Sequence, residues 1–155
     1  EWGRRMKECG ALLSAILRVV HPGMYEAGKT SLSRMSADPS IAAALHTWPT
    51  VFNNVQIISN RATPFHRDTS GIPPWYDMLI TLGAYGRAEL VLRNLGIQLG
   101  YKPGTISPIC SLILHHGVGK VRGDRLCYSW YMSEAVHRNF GVPDVSYMRA
   151  DYYSD

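Results

Sequence analysis

The chain contains no signal-peptide pattern and no apolar run of 18 residues, so no membrane span is expected. Cysteine is scarce. Cys9, Cys110 and Cys127 are widely spaced and form no CxxC, which argues against a structural zinc knuckle and fits a reducing, intracellular compartment. Cys110 and Cys127 lie in apolar stretches and are expected to be buried thiols. There is no run of like charges, no internal repeat and no low-complexity segment. Glu1 stands first where a complete chain would carry Met, which leaves open a piece of a longer protein.

What is present is ordinary for a globular chain: 155 residues, 46% hydrophobic and 18% charged, enough for one domain with a sizeable core. The formal net charge is +4 and the isoelectric point about 9.1. That permits a polyanionic partner without requiring one. The first third, 1–50, reads as helical. Cys9 to Val20 is apolar with good helix formers, and His21-Pro22-Gly23 is expected to stop it. Ser31 to Met35 adds a short turn. Asp38 reads as an N-cap with Pro39 at the first helical position, opening a helix through Ile41 to His46.

From Val51 the pattern becomes one of short strands. Val55 to Ser59, Tyr76 to Leu82, Ala88 to Leu92, Gly96 to Tyr101, Ile106 to His116 and Arg125 to Met132 are the candidates. Asn60 to Pro74 reads as a loop, Lys102 to Thr105 as a tight turn, and Arg93 to Gly96 as a hairpin connection. Ser133 to Phe140 reads as a closing helix, capped by Ser133 and followed by Gly141 and a polar, aromatic tail. The expected fold class is α+β: a double-sheet jelly roll over 51–132 braced by N-terminal helices, with a C-terminal helix and tail over 133–155.

The chemistry concentrates in three places. His66-Arg67-Asp68 puts an imidazole and a carboxylate two residues apart, and on extended backbone both point the same way. His115-His116 ends the apolar stretch from Ile109. The two rings face opposite ways, so one of them can join the first pair; His116 is preferred and His115 stays the alternative. Two imidazoles and one carboxylate hold three adjoining positions on Fe(II) and leave the others open. Arg125, nine residues past His116, opens the next strand and can form a two-pronged pair with the far carboxylate of a dicarboxylate co-substrate; Arg122 is the competitor.

Asn60-Arg61, the HRD at 66–68, Asp77 with its following apolar strand, Tyr101 before Pro103-Gly104-Thr105, the HGV at 116–118 and the GDR at 123–125 together resemble the 2-oxoglutarate/Fe(II) dioxygenases. Within them the chain is similar to the TET/J-binding-protein branch, particularly its compact fungal forms, over about residues 50 to 132. The resemblance implies a double-stranded β-helix, with Fe(II) held by His66, Asp68 and His116. It implies 2-oxoglutarate anchored by Arg125 and contacted by Arg61, and dioxygen as the other co-substrate. It also implies oxidation of the methyl group of 5-methylcytosine in a DNA duplex, in a nuclear setting. Cys127 departs from the pattern, since many relatives carry Ser there.

A stacked base cannot reach a buried iron, so the nucleotide would have to be flipped out. Tyr131 or Phe65 would supply a stacking ring, and Asn60, Thr69 or Ser70 a polar contact for the pairing edge; Trp130 is expected in the core. Arg4, Arg5, Lys7, Lys29, Arg34, Lys120 and Arg122 are candidates for phosphate contacts. The same site residues would serve an oxygenase of N6-methyladenine, RNA or a protein side chain, and a non-catalytic jelly-roll module could keep the ligands for structure.

Overall fold

The computed structural model describes residues 1–149 and 151. The chain divides into two compact units: residues 1–54 with 132–155, and residues 55–131.

The first unit is helical. Helix α1 spans Trp2–Arg5, α2 Lys7–Val20, α3 Pro22–Met35, α4 Pro39–Leu45 and α5 Glu134–Asn139. Leu13 and Leu17, one turn apart on α2, are both fully buried. Gly10 faces the backbone oxygen of Pro49 so closely that a Cβ would collide with it. Helix α4 starts as expected, with the Asp38 side chain accepting from Ser40 N at 2.9 Å and Pro39 in the first turn.

The expected stop at 21–23 does end α2, while the short turn expected over Ser31 to Met35 is instead the last part of helix α3. His21 ends α2 and also caps α3: its Nδ1 accepts from Met24 N at 3.2 Å, and Pro22 takes the first-turn position. The helix was hidden by two glycines of low helix propensity. One of them, Gly28, lies against Val51 and Met132, where no Cβ fits. At the other end, Ser133 sits at the N-cap of α5 with extended backbone but makes no side-chain cap bond. Gly141 follows the helix at φ 63°. The end of the tail lies outside the described residues. No helix among the described residues is long and apolar enough to cross a membrane.

The second unit is a roll of two four-stranded sheets. Its strands are β1 Asn54–Ser59, β2 Thr63–His66, β3 Asp77–Tyr85, β4 Glu89–Leu92, β5 Ile97–Gly100, β6 Ile106–Ile109, β7 His116–Val118 and β8 Gly123–Tyr131. One sheet runs β1-β8-β3-β6 and the other β2-β7-β4-β5. The fold is α+β with a jelly-roll core, as expected. Leu79, Ile109 and Cys127 from one sheet meet Leu90, Leu92 and Val118 from the other, with Tyr101 among them. A 3₁₀ turn, Arg93–Leu95, with Gly96 at φ 65°, joins β4 to its antiparallel partner β5.

Three sequence expectations are corrected here. The segment 60–74 is not all loop, because Thr63–His66 forms β2. Pro64 made it look unlike a strand, but β2 is an edge strand, where a missing N–H is tolerated. The run from Ile106 to His116 is not one strand. It forms β6 in one sheet, turns at 111–113, and re-emerges as β7 in the other. The largely apolar stretch from Ile109 to Leu114 concealed that corner. Finally, Cys127 is buried, but Cys110 is only half-buried.

Candidate metal centre

The corner and the missed strand build the site. His66 is the last residue of β2 and His116 the first of β7. They are directly paired across the two antiparallel strands, after a register irregularity between Thr63 and His66. Their ring centroids are 4.4 Å apart. The preceding residue, His115, packs instead against Phe65, at 5.7 Å between centroids. Asp68 follows β2, and its backbone N–H donates to Ser111 O at 3.1 Å, which ties it to the corner.

Both imidazoles are oriented alike. His66 Nδ1 bonds Pro64 O and His116 Nδ1 bonds Leu114 O, each at 2.8 Å. A carbonyl can only accept, so each Nδ1 carries a proton and each Nε2 is the nitrogen left to face a metal. His66 Nε2 lies 3.1 Å from Asp68 Oδ1. Ligand atoms from His66, Asp68 and His116 all fall within 4.8 Å of one another. Burial, reinforced by the neighbouring His66, lowers His116 below the ordinary 6.5 despite its bond to Leu114 O, which favours the neutral form that ligates.

Arg125 reaches the same cavity from β8, where it pairs with Gly83 of β3. A Cβ on Gly83, at φ 121°, would strike the Asp124 backbone. Arg125 is 4% exposed, and its guanidinium carbon sits 5.3 Å from the centre of the Tyr101 ring. Nη1 donates to Arg61 O at 3.4 Å, while Nε is buried with no hydrogen-bond partner among the described residues. The cavity is lined by His66, Asp68, His116, Arg125, Tyr101, Cys127 and Ser129, among others. Burial holds the Tyr101 phenol well above its ordinary 10 and raises the Cys127 thiol, so both are protonated; their OH and Sγ are 3.4 Å apart.

An outer cavity of about 250 Å³ shares His66, Asp68, Gln56 and Ser129 and adds Thr69, Ser70, Asp77 and Tyr131. Asp77 and Gln56 went unassigned a role in the sequence. Asp77 is buried, accepts from Ser111 Oγ, and is pushed up to about 7, chiefly by burial, with Asp68 adding to the rise. An acid opening an apolar strand was the available signal.

Three expected site residues sit elsewhere. Phe65 alternates with His66 on β2 and is 42% exposed, packed with His115 and Arg93 rather than in the cavity. Asn60, at φ 51°, is committed to the hairpin region: Oδ1 accepts from Arg125 N at 2.7 Å and Nδ2 donates to Asp124 at 3.3 Å. Arg61 is exposed and meets Arg125 through its backbone oxygen. Tyr131 does line the outer cavity, and Trp130 is fully buried. Arg122 is exposed in the bend before β8. Of the other phosphate candidates, Arg4 and Arg5 pair with Glu1, Lys29 with Glu26, and Arg34 donates to the carbonyls of Phe140 and Gly141.

A roll with two imidazoles, a carboxylate and a buried arginine around one cavity is built as an oxygenase centre is built. The TET/JBP family, described as the oxygenase domain of the 2OGFeDO superfamily, matches residues 2–134, and the chain belongs to that family. It is a dioxygenase domain of the 2-oxoglutarate/Fe(II) superfamily.

Among solved structures the chain resembles NgTET1 in complex with 5mC DNA. The TM-score is 0.63 at 14% identity, covering 94% of this chain and 54% of that one. The likeness is one of fold, and the chain spans about half the length of that neighbour. Weaker matches are an rmlc-like cupin from Desulfovibrio desulfuricans and a Cupin 2 conserved barrel domain protein from Salinispora arenicola. The first has a TM-score of 0.33 at 18% identity, covering 49% of this chain and 70% of that one. The second has 0.35 at 20%, covering 61% and 76%. Both scores are too low to carry an argument. No curated protein sequence matches the chain.

Proposed function

We propose that this domain oxidises the methyl group of 5-methylcytosine in DNA, using Fe(II) and 2-oxoglutarate. The observation that carries the reading is the convergence of His66, Asp68, His116 and Arg125 on one cavity between the two sheets. The donor set suits Fe(II). The unpartnered Nε–H of buried Arg125 suits a carboxylate, so the residues fit both groups.

When bound, iron and 2-oxoglutarate would supply the oxidising power through dioxygen reduction and co-substrate decarboxylation. The chain's own part is positioning. His66 and His116 would present Nε2, each steadied by its Nδ1 bond to the carbonyl two residues back. Arg125 would pair with the distal carboxylate of 2-oxoglutarate, its guanidinium steadied by the Tyr101 ring. Tyr101 and Cys127, both protonated, add neutral donors beside it. Tyr131, at the outer cavity, offers a ring for a flipped base, while Gln56, Thr69 and Ser70 offer polar groups for its pairing edge. The similarity in fold to a protein solved with 5mC DNA supports DNA as the substrate.

The test is incubation with iron, 2-oxoglutarate and matched duplexes carrying cytosine, 5-methylcytosine or N6-methyladenine, followed by mass analysis of the nucleosides. Hydroxymethylcytosine from the 5-methylcytosine duplex alone is expected. Succinate formed without any oxidised base would contradict the substrate.

A further inference from the structure

The formal charge is not shared between the two units. The roll contains eight Lys and Arg against four Asp and Glu, while the helical unit contains eight of each. The whole excess therefore lies on the roll. Of its four acids, Asp68 and Asp77 line the outer cavity, Glu89 pairs with Arg87, and Asp124 bonds Asn60. The outside of the roll is a cationic surface.

That surface has an ordered part at the metal centre. Phe65 and Arg67 flank His66 in sequence, and His115 precedes His116. Arg67 Nε donates to Ile113 O at 3.1 Å. Arg93 is tied to the same short segment: its N donates to His115 O at 2.8 Å, and Asn94 bonds both Ile113 O and His115 N. The Arg93 guanidinium carbon lies 4.9 Å from the centre of the Phe65 ring. Neither guanidinium has an acidic partner among the described residues. Each is thus immobilised on one side by a neutral contact, with its terminal nitrogens left to donate. An arginine held this way binds a phosphate with less loss of side-chain freedom than a loose one.

We propose that Arg67 and Arg93, the latter held in place by Phe65, grip two phosphates of the DNA strand that delivers the target base. This rests on DNA being the substrate, as argued above. It also gives Phe65 a role, as the positioning residue for a phosphate clamp rather than the ring that stacks on the base.

The test is fluorescence anisotropy of a labelled duplex containing one 5-methylcytosine, titrated with protein over a series of KCl concentrations. Each lost phosphate contact makes the plot of log K against log salt shallower by about one. The double variant Arg67→Gln/Arg93→Gln should therefore lose about two from the slope and bind roughly a hundredfold more weakly at low salt. Phe65→Ala should lose up to about one, with Phe65→Trp restoring it, while Arg87→Gln, already ion-paired, should change the slope little. Calorimetric binding of Fe(II) and 2-oxoglutarate should be unaltered in all four variants. A wild type that binds and oxidises the duplex, beside a double variant of unchanged slope, would overturn the clamp and leave the substrate reading standing. A wild type without salt-dependent DNA binding would overturn both. Tight binding to an RNA duplex of the same sequence, with weak binding to DNA, would overturn DNA as the occupant.

Discussion

The helical unit and the roll both bury histidines, for different ends. In the helical unit, His21 spends its Nδ1 on the start of α3, and His137, 1% exposed, has its pKa lowered mainly by burial. In the roll, His66 and His116 give Nδ1 to a carbonyl two residues back and join Asp68 in one cluster of possible ligand atoms. Burial does not separate the two kinds, since His21 is more buried than His66. What sets His66 and His116 apart is that they meet each other and Asp68 as a set of ligand atoms within 4.8 Å. The charge follows the same division, because the helical unit is balanced and the roll is cationic.

The sharpest way to break the comparison is to remove one ring. His66→Ala should abolish Fe(II) binding and turnover. Because the side chain is 41% exposed, stability should change by no more than about 0.5 kcal/mol. Iron titration and thermal unfolding of the same sample would check this, and iron binding that survives the change would refute the assignment. In the helical unit the opposite is expected. Leu17→Ala empties a fully buried position on α2 and should cost about 2–5 kcal/mol of stability, read from denaturant midpoints.

The candidate ligand set was legible in the sequence because it depends on residue types and their order: HxD, a later His, then an Arg. The fold class was legible from helices followed by short strands. The surroundings were not. Strand β2 hid behind Pro64, and without it the alternation that turns Phe65 away from His66 could not be read. Had Thr63–His66 been taken as a strand, Phe65 would have been placed outside from the start. The corner at 111–113 hid in an apolar run, and with it Ser111, which bonds both Asp77 and the Asp68 backbone. The bonding of Asn60 could not be read because it depends on a left-handed backbone and on its partner Arg125, 65 residues away. Helix α3 hid because the residues that end α2 also begin the next helix.

Within the roll, Arg125 separates co-substrate binding from metal binding. Arg125→Ala should weaken 2-oxoglutarate binding by on the order of 2–4 kcal/mol, roughly 30- to 1000-fold, with iron affinity nearly intact. Unchanged co-substrate affinity would shift attention to Arg122. The smallest effect belongs to His137. Its folded pKa lies below the ordinary 6.5, so the unfolded chain takes up the proton first. Its contribution is fully present above pH about 6.5 and is lost as the pH falls through the folded value. Relative to the wild type, His137→Gln should remove a positive slope of stability against pH below about 6.5, measured by urea unfolding; His116 adds a slope of the same sign, and Asp77, pushed up to about 7, one of the opposite sign.

One cavity in the roll is expected to take both iron and 2-oxoglutarate. Anaerobic calorimetry tests it most directly, with Fe(II) added first and 2-oxoglutarate second, in the wild type, His116→Ala and Arg125→Ala. One iron per chain is expected in the wild type and in Arg125→Ala, none in His116→Ala, and tight 2-oxoglutarate binding only to the iron-loaded wild type. Equally tight 2-oxoglutarate binding to iron-free protein, or one-to-one iron binding by His116→Ala, would contradict it.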